Sequence, residues 1–390
     1  MNVVRTHGQE CCGCAACADI CPMQCIDMRE DAEFFIYPFI NEELCIQCGK
    51  CMSVCPTIRA EKFKVAIDND TAYAFVSNDL DVVQSSSSGG AFSTLMDAFS
   101  QKYDQYAIAG AAFDGTNVRH ICVDNRKAAE AFKRSKYVQS HGRFVYQQVK
   151  EALSKGKYVL FSGTPCMVAA LKAFLGGDAE RLLTVDIVCH GVPSRNLLNM
   201  YLDEVSHKYG SDVERIDFRI KKDFATAHPN PRTMDIRMRN GTILNQDIAH
   251  CEYLYGFHTG LFFRPSCGRC KFTCPERIGD ITLGDFWGIE KKHPQLQSKK
   301  GVSLVRFNTA KGLDYLSYLK SRGTVYEESY SFACDENEQL KKPSKRHRNR
   351  RRFFSLRKRG LSLTDAVNIC KKPDNLGLRI LHKIDDILQR

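Results

Sequence analysis

The sequence lacks several features that would assign it to a common class. No apolar stretch approaches the length that spans a bilayer, so no membrane span is predicted. The first residues, MNVVRTHGQECCGC, contain no apolar core of a secretory signal. No G-x-G-x-x-G dinucleotide fingerprint occurs, which leaves direct use of NAD without support. The C-x3-C-x2-C pattern of radical-SAM enzymes is also absent, and tryptophan occurs once, at Trp287.

Cysteine, in contrast, is abundant. The 390 residues include 19 cysteines, and ten of these lie in the first 55 residues. So many cysteines without a signal peptide favour metal ligation in a reducing compartment over disulfides. We therefore expect a cytoplasmic protein that binds metal.

Eight of the early cysteines form one pattern written twice. Cys11-x2-Cys14-x2-Cys17-x3-Cys21-Pro22 is followed by Cys45-x2-Cys48-x2-Cys51-x3-Cys55-Pro56. This is the run of bacterial two-cluster ferredoxins, in which the fourth cysteine ligates the other cluster. The rule assigns one [4Fe–4S] cluster to Cys11, Cys14, Cys17 and Cys55, and the second to Cys45, Cys48, Cys51 and Cys21. Zinc knuckles are the alternative, but zinc does not explain a duplicated quartet that ends in Cys-Pro.

The net charge of +11 comes from one segment. Between Lys341 and Gly360 there are eleven Lys and Arg residues and no acid, and the rest of the chain carries 45 basic and 45 acidic residues. The segment could bind nucleic acid, an acidic partner or an anionic membrane surface. The alternative is a solvated helix that Phe353, Phe354 and Leu356 dock onto the body, and nucleic acid is the less favoured partner because no nucleic-acid motif lies nearby.

Beyond a polar linker at 57–70, strands and helices alternate, which predicts an α/β core. Predicted strands lie at 73–76, 106–113, 158–162 and 183–188, and predicted helices at 91–102, 144–153, 168–175 and 197–208. Further on, segments 215–220 and 233–239 are β-like, and Asn240-Gly241 predicts a hairpin turn into 242–248. A last strand at 304–307 precedes a helix at 309–319.

Four short segments of this body carry residues typical of chemical sites. SSSSGGAFST (85–94) is a small-residue loop before a helix, where backbone N–H groups can approach a phosphate, although a plain helix N-cap is the alternative. The segments 163–166 (GTPC) and 189–191 (CHG) each follow an apolar strand and precede a helix, although core cysteine is common in such folds. The fourth, Cys267-x2-Cys270-x3-Cys274, suits zinc or iron–sulfur and precedes DITLGDFWG at 280–288.

Taken together, these segments resemble the coenzyme F420 hydrogenase/dehydrogenase beta-subunit family. In order they are SSSSGG (85–90), KYVQS (136–140), GTPC (163–166), CHGVPS (189–194), the CxxC at 267–270 and DITLGDFWG (280–288). Their order, and the fusion to a dicluster ferredoxin, match the family from about residue 1 to 320. The predicted fold class is α+β/α/β, with a small bacterial-type dicluster ferredoxin domain followed by a larger mixed α/β flavin-binding domain. The predicted domains are a ferredoxin domain at 1–60, a family-type FAD and iron–sulfur domain at 71–325 and a basic helical extension at 326–390.

The resemblance implies a flavoprotein with a third [4Fe–4S] cluster. Family members bind FAD and use it to convert between hydride transfer at a substrate and single-electron transfer through clusters. The implied ligands of the third cluster are Cys166, Cys189, Cys267 and Cys270, and Cys274 competes for one place. The residues expected at FAD are Ser86, Ser87, Ser88, Gly89 and Gly90, while Lys136 and Tyr137 are expected at FAD or the substrate.

Other residues keep two interpretations. His190 is a candidate proton donor near the flavin or a structural histidine. Asp280 and Asp285 are buried hydrogen-bonding residues or catalysts. The cysteines without a motif are expected to be core thiols; these are Cys12, Cys25, Cys122, Cys251, Cys334 and Cys370.

The leading hypothesis is an FAD- and iron–sulfur-dependent oxidoreductase. It would pass electrons between its ferredoxin-type clusters and a small organic substrate or deazaflavin, with ferredoxin or another redox protein as its partner. One alternative is a non-catalytic electron-transfer subunit that docks on a dehydrogenase or hydrogenase. A less favoured one is an iron–sulfur regulator that binds nucleic acid through the basic segment.

Overall fold

Alternating apolar strands and amphipathic helices build the body of the chain around one mixed sheet. A computed structural model describes residues 10–221, 233–297 and 301–372. The strands are, in chain order, β1 Ile26–Glu30, β2 Ile36–Ile40, β3 Thr71–Ser77, β4 Tyr106–Asp114, β5 Asn117–Val123, β6 Tyr158–Gly163, β7 Leu182–Ile187, β8 Val213–Phe218, β9 Thr233–Met238, β10 Ile243–Asp247, β11 Ile281–Asp285, β12 Ser303–Phe307 and β13 Gly323–Ser329.

The α-helices of the described residues flank these strands. They are α1 Ala16–Asp19, α2 Lys50–Ser53, α3 Leu80–Gln84, α4 Ala91–Lys102, α5 Val145–Ser154, α6 Pro165–Leu175, α7 Arg195–Tyr209, α8 Glu252–His258, α9 Ala310–Leu313, α10 Leu316–Arg322, α11 Tyr330–Glu336, α12 Arg350–Lys358 and α13 Leu363–Lys371. Short 3₁₀ turns lie at Ala60–Phe63, Ala128–Phe132, Pro265–Arg269, Ile289–Lys291 and Glu338–Leu340. None of the helices in the described ranges is both long and apolar enough to cross a bilayer.

The main sheet has the strand order β13-β3-β12-β11-β7-β6-β4-β5. Its centre, β11-β7-β6-β4, is parallel, and the outer neighbours pair antiparallel. Parallel strands are buried on both faces, which explains why β6 and β7 are apolar along their length. Because the central strands run in the same direction, the loops that follow β6, β7 and β11 meet at one edge of the sheet.

Helices cover both faces of this sheet. Residues of β6 alternate between the faces, so Leu160 packs with α4 while Phe161 packs with α5 and α6. The ferredoxin residues Ala16 and Val54 join the second of these cores. A third core lies between the antiparallel sheet β10-β9-β8 and helices α7, α8, α12 and α13.

The N-terminal ferredoxin domain is docked on the body through backbone carbonyls of its first cysteine loop. The buried Arg264 guanidinium donates to the carbonyls of Cys11 at 2.7 Å and Ile36 at 2.8 Å, and to Gln139 Oε1 at 3.1 Å. Gly13 permits this approach, since a Cβ there would lie 2.7 Å from Arg264 Nη1 and its φ is +69°. The segment predicted as a linker also packs on the body, with Phe63 buried.

The sequence-based elements agree closely with this architecture, and the predicted order of a small ferredoxin domain and a larger mixed α/β domain is confirmed. The helix predicted at 91–102 has those bounds, and the Asn240-Gly241 turn joins β9 to β10. Strands β5, β11 and β13 are absent from the predicted elements. The boundary predicted at 325/326 falls inside β13, which pairs along β3 at the sheet edge.

The basic extension folds back onto the body over its described part. Phe353 and Phe354 of α12 are buried and Leu356 packs beside them, which agrees with the docked-helix interpretation. Arg350 forms a two-point ion pair with Glu33 of the ferredoxin domain, at 2.9 and 2.6 Å, and donates to the carbonyl of Phe263. Residues 373–390 of the predicted extension lie outside the described residues.

Replacing Arg264 by Leu should destabilise the protein by about 3 kcal/mol, because it leaves three buried acceptors without a donor. The thermal unfolding midpoint of anaerobically purified protein measures this loss. Arg269→Leu is the matched control, since Arg269 is exposed, and it should leave the midpoint within error of the parent. Equal midpoints for the two variants would contradict the role given to Arg264.

Candidate functional site

The duplicated cysteine pattern folds into two sets that exchange their fourth members. The Cys17 thiol has Cys11, Cys55 and Cys51 as neighbours, and burial followed by these thiols raises its pKa. Cys55 also lies close to Cys11, although it belongs to the second repeat. Cys21 of the first repeat lines a small cavity of about 20 Å³ with Cys45, Cys48 and Cys51. This exchange fits two [4Fe–4S] clusters, and which cysteines ligate them stays a prediction.

Cys25 joins the second set, which sequence reasoning did not anticipate. Its Sγ lies 3.4 Å from that of Cys21, and its side chain lines the same small cavity. Burial raises the pKa of its thiol to about 12. The four-residue gap from Cys21 is the available signal, but it lies outside the ferredoxin pattern and therefore predicts only a core thiol.

A third set of cysteines gathers at the edge of the main sheet. Cys166 opens α6 directly after β6, Cys189 follows β7, and Cys267 and Cys270 lie at the 3₁₀ turn Pro265–Arg269. Burial, followed by the thiols of Cys267, Cys166 and Cys270, raises the pKa of Cys189 well above its usual range. Buried thiols that repel one another as thiolates need a metal to be held deprotonated, so this donor set fits a cluster.

Cys274 does not join this set. Its Sγ donates to the carbonyl of Glu276 at 3.0 Å, and its nearest charges are Lys64, Arg277 and Glu276. The fifth thiol near the third set is that of Cys12. It contacts Cys14 and Cys166, and the Cys14 contact raises its pKa well above the usual range. The loop between Cys11 and Cys14 therefore connects the first and third sets.

A cavity of about 640 Å³ unites the segments that the sequence singled out. It lies at the edge of the sheet where β6, β7 and β11 end. Its lining includes Ser86, Ser87, Ser88, Gly90, Lys136, Tyr137, Gly163, Thr164, Cys166, Cys189, His190, Cys267, Cys270, Asp285 and Trp287. Motifs spread over about 200 residues of sequence thus border one space.

The serine loop presents its hydroxyls to this cavity in different ways. Ser87 Oγ accepts from the backbone N–H of Ser135 at 2.8 Å, and Ser86 Oγ lies 3.5 Å from Ser93 Oγ. Ser88 Oγ is buried and has no hydrogen-bond partner within the described part of the chain. A buried hydroxyl without a partner costs free energy, which a bound ligand can recover.

Gly89 does not line the cavity, in contrast to the expectation from the loop pattern. A Cβ at this position would lie 2.1 Å from the carbonyl oxygen of Phe75 and 2.8 Å from the N–H of Ser303. Gly89 therefore faces strands β3 and β12 behind the loop. Its lack of a side chain serves close backbone packing, and Gly90, with φ +93°, makes the left-handed turn into α4.

The cavity wall is mainly cationic. The basic residues that line it are Lys133, Arg134, Lys136, Arg219, Arg269, Lys271, Arg277 and Arg346, against the acids Glu10 and Asp285. Asp285 is bound at both oxygens by Arg219, at 2.6 and 3.0 Å. The remaining excess of positive charge favours an anionic ligand.

Lys136 and Tyr137 lie in the wall but are held by the protein. The Lys136 ammonium donates to the carbonyls of Lys133 at 2.7 Å and Ala131 at 3.1 Å, and burial lowers its pKa to about 7. The Tyr137 ring stacks on Phe257 with 4.3 Å between ring centroids. Lys136 is thus a group that can exchange a proton near neutral pH.

Both nitrogens of His190 are engaged inside the protein. Nε2 lies 3.1 Å from the carbonyl oxygen of His258, to which it must donate, and Nδ1 lies 3.0 Å from Ser344 Oγ. This geometry favours the structural interpretation of His190 over the proton donor. Ser344 belongs to the basic extension, and Arg346 of the same extension donates to the carbonyl of Pro265 beside Cys267.

His120 is a further cavity residue that sequence reasoning missed. It lies on β5, its Nδ1 is 2.7 Å from Ser140 Oγ, and its Nε2 is 3.2 Å from the carbonyl oxygen of Ser162. Burial lowers its pKa to about 4, so the ring is neutral at pH 7. Asp280, in contrast, only ties strands together, since its Oδ2 accepts from Thr184 on β7.

Comparisons with known proteins first define the class. Two models described as a 4Fe-4S dicluster domain match residues 10–58 and 37–90, which overlap across the second cysteine repeat. A 7Fe ferredoxin of Hydrogenibacillus schlegelii is 43% identical over 42 residues, or 11% of this chain and 47% of that protein. The alignment thus spans about half the length of this curated relative. The chain is an iron–sulfur protein with an N-terminal ferredoxin-type dicluster domain.

The body then supplies the family. Residues 156–331 match the model that describes the C terminus of the coenzyme F420 hydrogenase/dehydrogenase beta subunit, which confirms the predicted family. The SSSSGG and KYVQS segments precede the matched residues. The chain is also similar to a solved F420-reducing [NiFe] hydrogenase complex from Methanosarcina barkeri, with 17% identity, 71% of this chain and 90% of that chain covered, and a TM-score of 0.45. This chain carries a C-terminal domain of the coenzyme F420 hydrogenase/dehydrogenase beta-subunit family.

Replacing Gly89 by Ala should destabilise the protein whether or not a ligand is bound, because the new methyl group meets the backbone of β3. Overpacking of this kind costs about 1–3 kcal/mol. Urea unfolding of the metal-free chain, followed by circular dichroism, measures the effect. Ser88→Ala at the neighbouring position is the control and should unfold at the parent midpoint. A Gly89→Ala variant as stable as the parent would contradict the close packing.

Proposed function

We propose that the chain is an iron–sulfur flavoprotein oxidoreductase that passes electrons between its N-terminal [4Fe–4S] clusters and a small organic substrate through FAD. The observation that carries the proposal is the single cavity that the serine loop and the third cysteine set share. A flavin there would lie beside a third cluster, and that cluster would lie beside the first N-terminal one across the Cys12 loop. The substrate and a redox partner protein would occupy opposite ends of this route.

Three features of the chain fit FAD. The loop ends at the N-terminus of α4, where backbone N–H groups and the helix dipole favour a diphosphate. Ser88 Oγ is a buried hydroxyl to which the described residues offer no hydrogen-bond partner. The excess of basic side chains in the wall supplies countercharge for the phosphates. When bound, FAD supplies the conversion between two-electron and one-electron chemistry.

The chain's own residues would then hold the reactants, exclude water and supply protons. Lys136 can gain or lose a proton near neutral pH, because burial lowers its pKa to about 7. His120 stays neutral and orients Ser140. Ser344 and Arg346 of the extension hold His190 and the turn before Cys267, so the extension keeps the third cysteine set in place.

A second candidate is an electron-transfer subunit that works only inside a dehydrogenase or hydrogenase. The description of the matched family as a beta subunit favours it. In that case FAD would be an internal relay, and the isolated chain would oxidise or reduce no organic substrate. The two candidates share the same cofactors, so the two predictions below test what they have in common.

Ser88→Ala should weaken FAD binding about tenfold, because a hydrogen bond to a charged group is worth about 1.5–3 kcal/mol. Ser86→Ala is the matched control, since Ser86 Oγ faces Ser93 inside the protein, and it should bind FAD as the parent does. Quenching of flavin fluorescence on titration of the anaerobic chain measures both affinities. If the reconstituted parent binds no flavin, the flavoprotein proposal fails and only the iron–sulfur protein remains.

Cys267→Ala should lower the iron content by about four atoms per chain, since one cubane loses a ligand. Cys274→Ala should leave the iron content at the parent value, because its thiol lies outside the third set. Iron analysis and electron paramagnetic resonance of the reduced protein separate the clusters. Loss of iron in Cys274→Ala with full content in Cys267→Ala would show that the ligand set is different.

A further inference from the structure

We propose that the exposed surface around Cys48 is the docking site of an electron-carrier protein with a positively charged face. This surface, termed here the distal surface, consists of Met23, Leu44 and Ile46 with Glu42 and Glu43 beside them. The proposal rests on the proposed function, because it says where electrons enter the route to the cavity. It adds which of the two N-terminal cysteine sets meets the partner and what charge that partner carries.

The two N-terminal sets differ in their position relative to the body. The loop of the first set is held from the body at three successive points, by Arg264 on Cys11 O, Gln139 on Cys12 O at 2.9 Å and Tyr146 on Cys14 O at 2.9 Å. In this set Cys14, Cys17 and Cys55 are buried. The first set therefore faces the body, next to the third set.

The second set faces solvent. Cys48 is exposed, and Cys21, Cys45 and Cys51 are half-buried. A cluster on these cysteines is reached from outside through Cys48, whereas a partner could reach the first set only by displacing the body. Electrons exchanged with another protein thus have their shortest path through the second set.

The side chains around Cys48 are apolar and exposed to an unusual degree. Met23 is 43% exposed, Leu44 51% and Ile46 61%. Met23 and Ile46 line the small cavity with the four cysteines, and Leu44 adjoins Cys45. Exposed apolar side chains in a group mark an interaction surface. Here the group surrounds the one exposed cysteine of the set.

The charge of this surface selects the partner. Asn41 Oδ1 accepts from the N–H of Glu43 and closes a turn that presents Glu42 and Glu43 to solvent. Residues 40–53 contain these two acids and one base, Lys50. A cluster with four thiolates adds negative charge to the same place. A partner with basic residues around its own redox centre complements this surface and is steered to it.

The transfer itself is balanced by single electrons. On each docking event the partner's reduced centre loses one electron and the cluster on Cys21, Cys45, Cys48 and Cys51 gains it. No bond forms or breaks, and no proton moves at the distal surface. Two such events supply the electron pair that a two-electron change of an organic substrate needs.

The test uses the full-length, reconstituted chain, reduced anaerobically and mixed with oxidised cytochrome c, a one-electron acceptor with lysines around its haem edge. Glu42→Lys/Glu43→Lys should lower the second-order rate constant about tenfold at low ionic strength, and the difference should close as salt rises. Ile46→Ser should lower the rate about fivefold at every salt concentration, because it removes apolar contact. Leu313→Ser is the matched control, since Leu313 is 47% exposed on the body, and it should not change the rate.

Two further readouts make the result specific to docking. Oxidation by benzyl viologen, which needs no protein surface, should proceed at the parent rate in all variants, and iron content should be unchanged. A cytochrome c rate that charge reversal leaves unaltered or raises would overturn the proposal, as would an Ile46→Ser variant indistinguishable from Leu313→Ser. A parent dimer that Ile46→Ser dissociates in sedimentation would assign the surface to a second copy and also overturn it. None of these readouts depends on FAD, so failure of the flavin titration and failure of this proposal are distinguishable.

Discussion

One buried guanidinium fixes the geometry on which the rest of the protein depends. Arg264 donates to the first cysteine loop at Cys11 and to the ferredoxin hairpin at Ile36, and its own carbonyl accepts from the N–H of Cys267. The same residue thus positions ligand candidates of the first and the third sets. Its charge lies between thiols and the rings of Phe35 and Tyr37, where a cation is stabilised by the surrounding negative potential. A neutral residue could fill the space but could not hold both loops.

The parallel centre of the sheet provides the second constraint. The GTPC, CHG and DFWG segments follow β6, β7 and β11, and parallel strands deliver their following loops to one edge. Segments far apart in the chain therefore converge without long connections. The buried pair of Arg277 and Asp186, at 2.9 Å, fastens the start of β11 to β7 and keeps these loops in register. The cavity is a consequence of this topology and of the serine loop that closes it.

Much of this arrangement could be predicted from the sequence, because its strongest signals are local. The duplicated cysteine run, the amphipathic helix α4 and the Asn240-Gly241 turn each depend on neighbours in the chain. The failures concern long-range contacts. The pattern of β11 indicates only a motif, β13 falls in the predicted extension although it pairs with β3, and Gly89 faces β3 and not the cavity. Cys25 reaches the second set only because the ferredoxin loops fold together, which its spacing does not indicate.

The ion pair between Arg350 and Glu33 joins residues 317 positions apart. During synthesis from the N-terminus, the ferredoxin domain and the sheet are complete before Arg350 leaves the ribosome. The turn that carries Cys267 is then still uncovered, since Arg346 follows Pro265 by 81 residues. Iron, sulfide and flavin thus have open access on the nascent chain, and the last helices close over a site that is already filled. The order of amino acids along the chain sets the order of cofactor assembly.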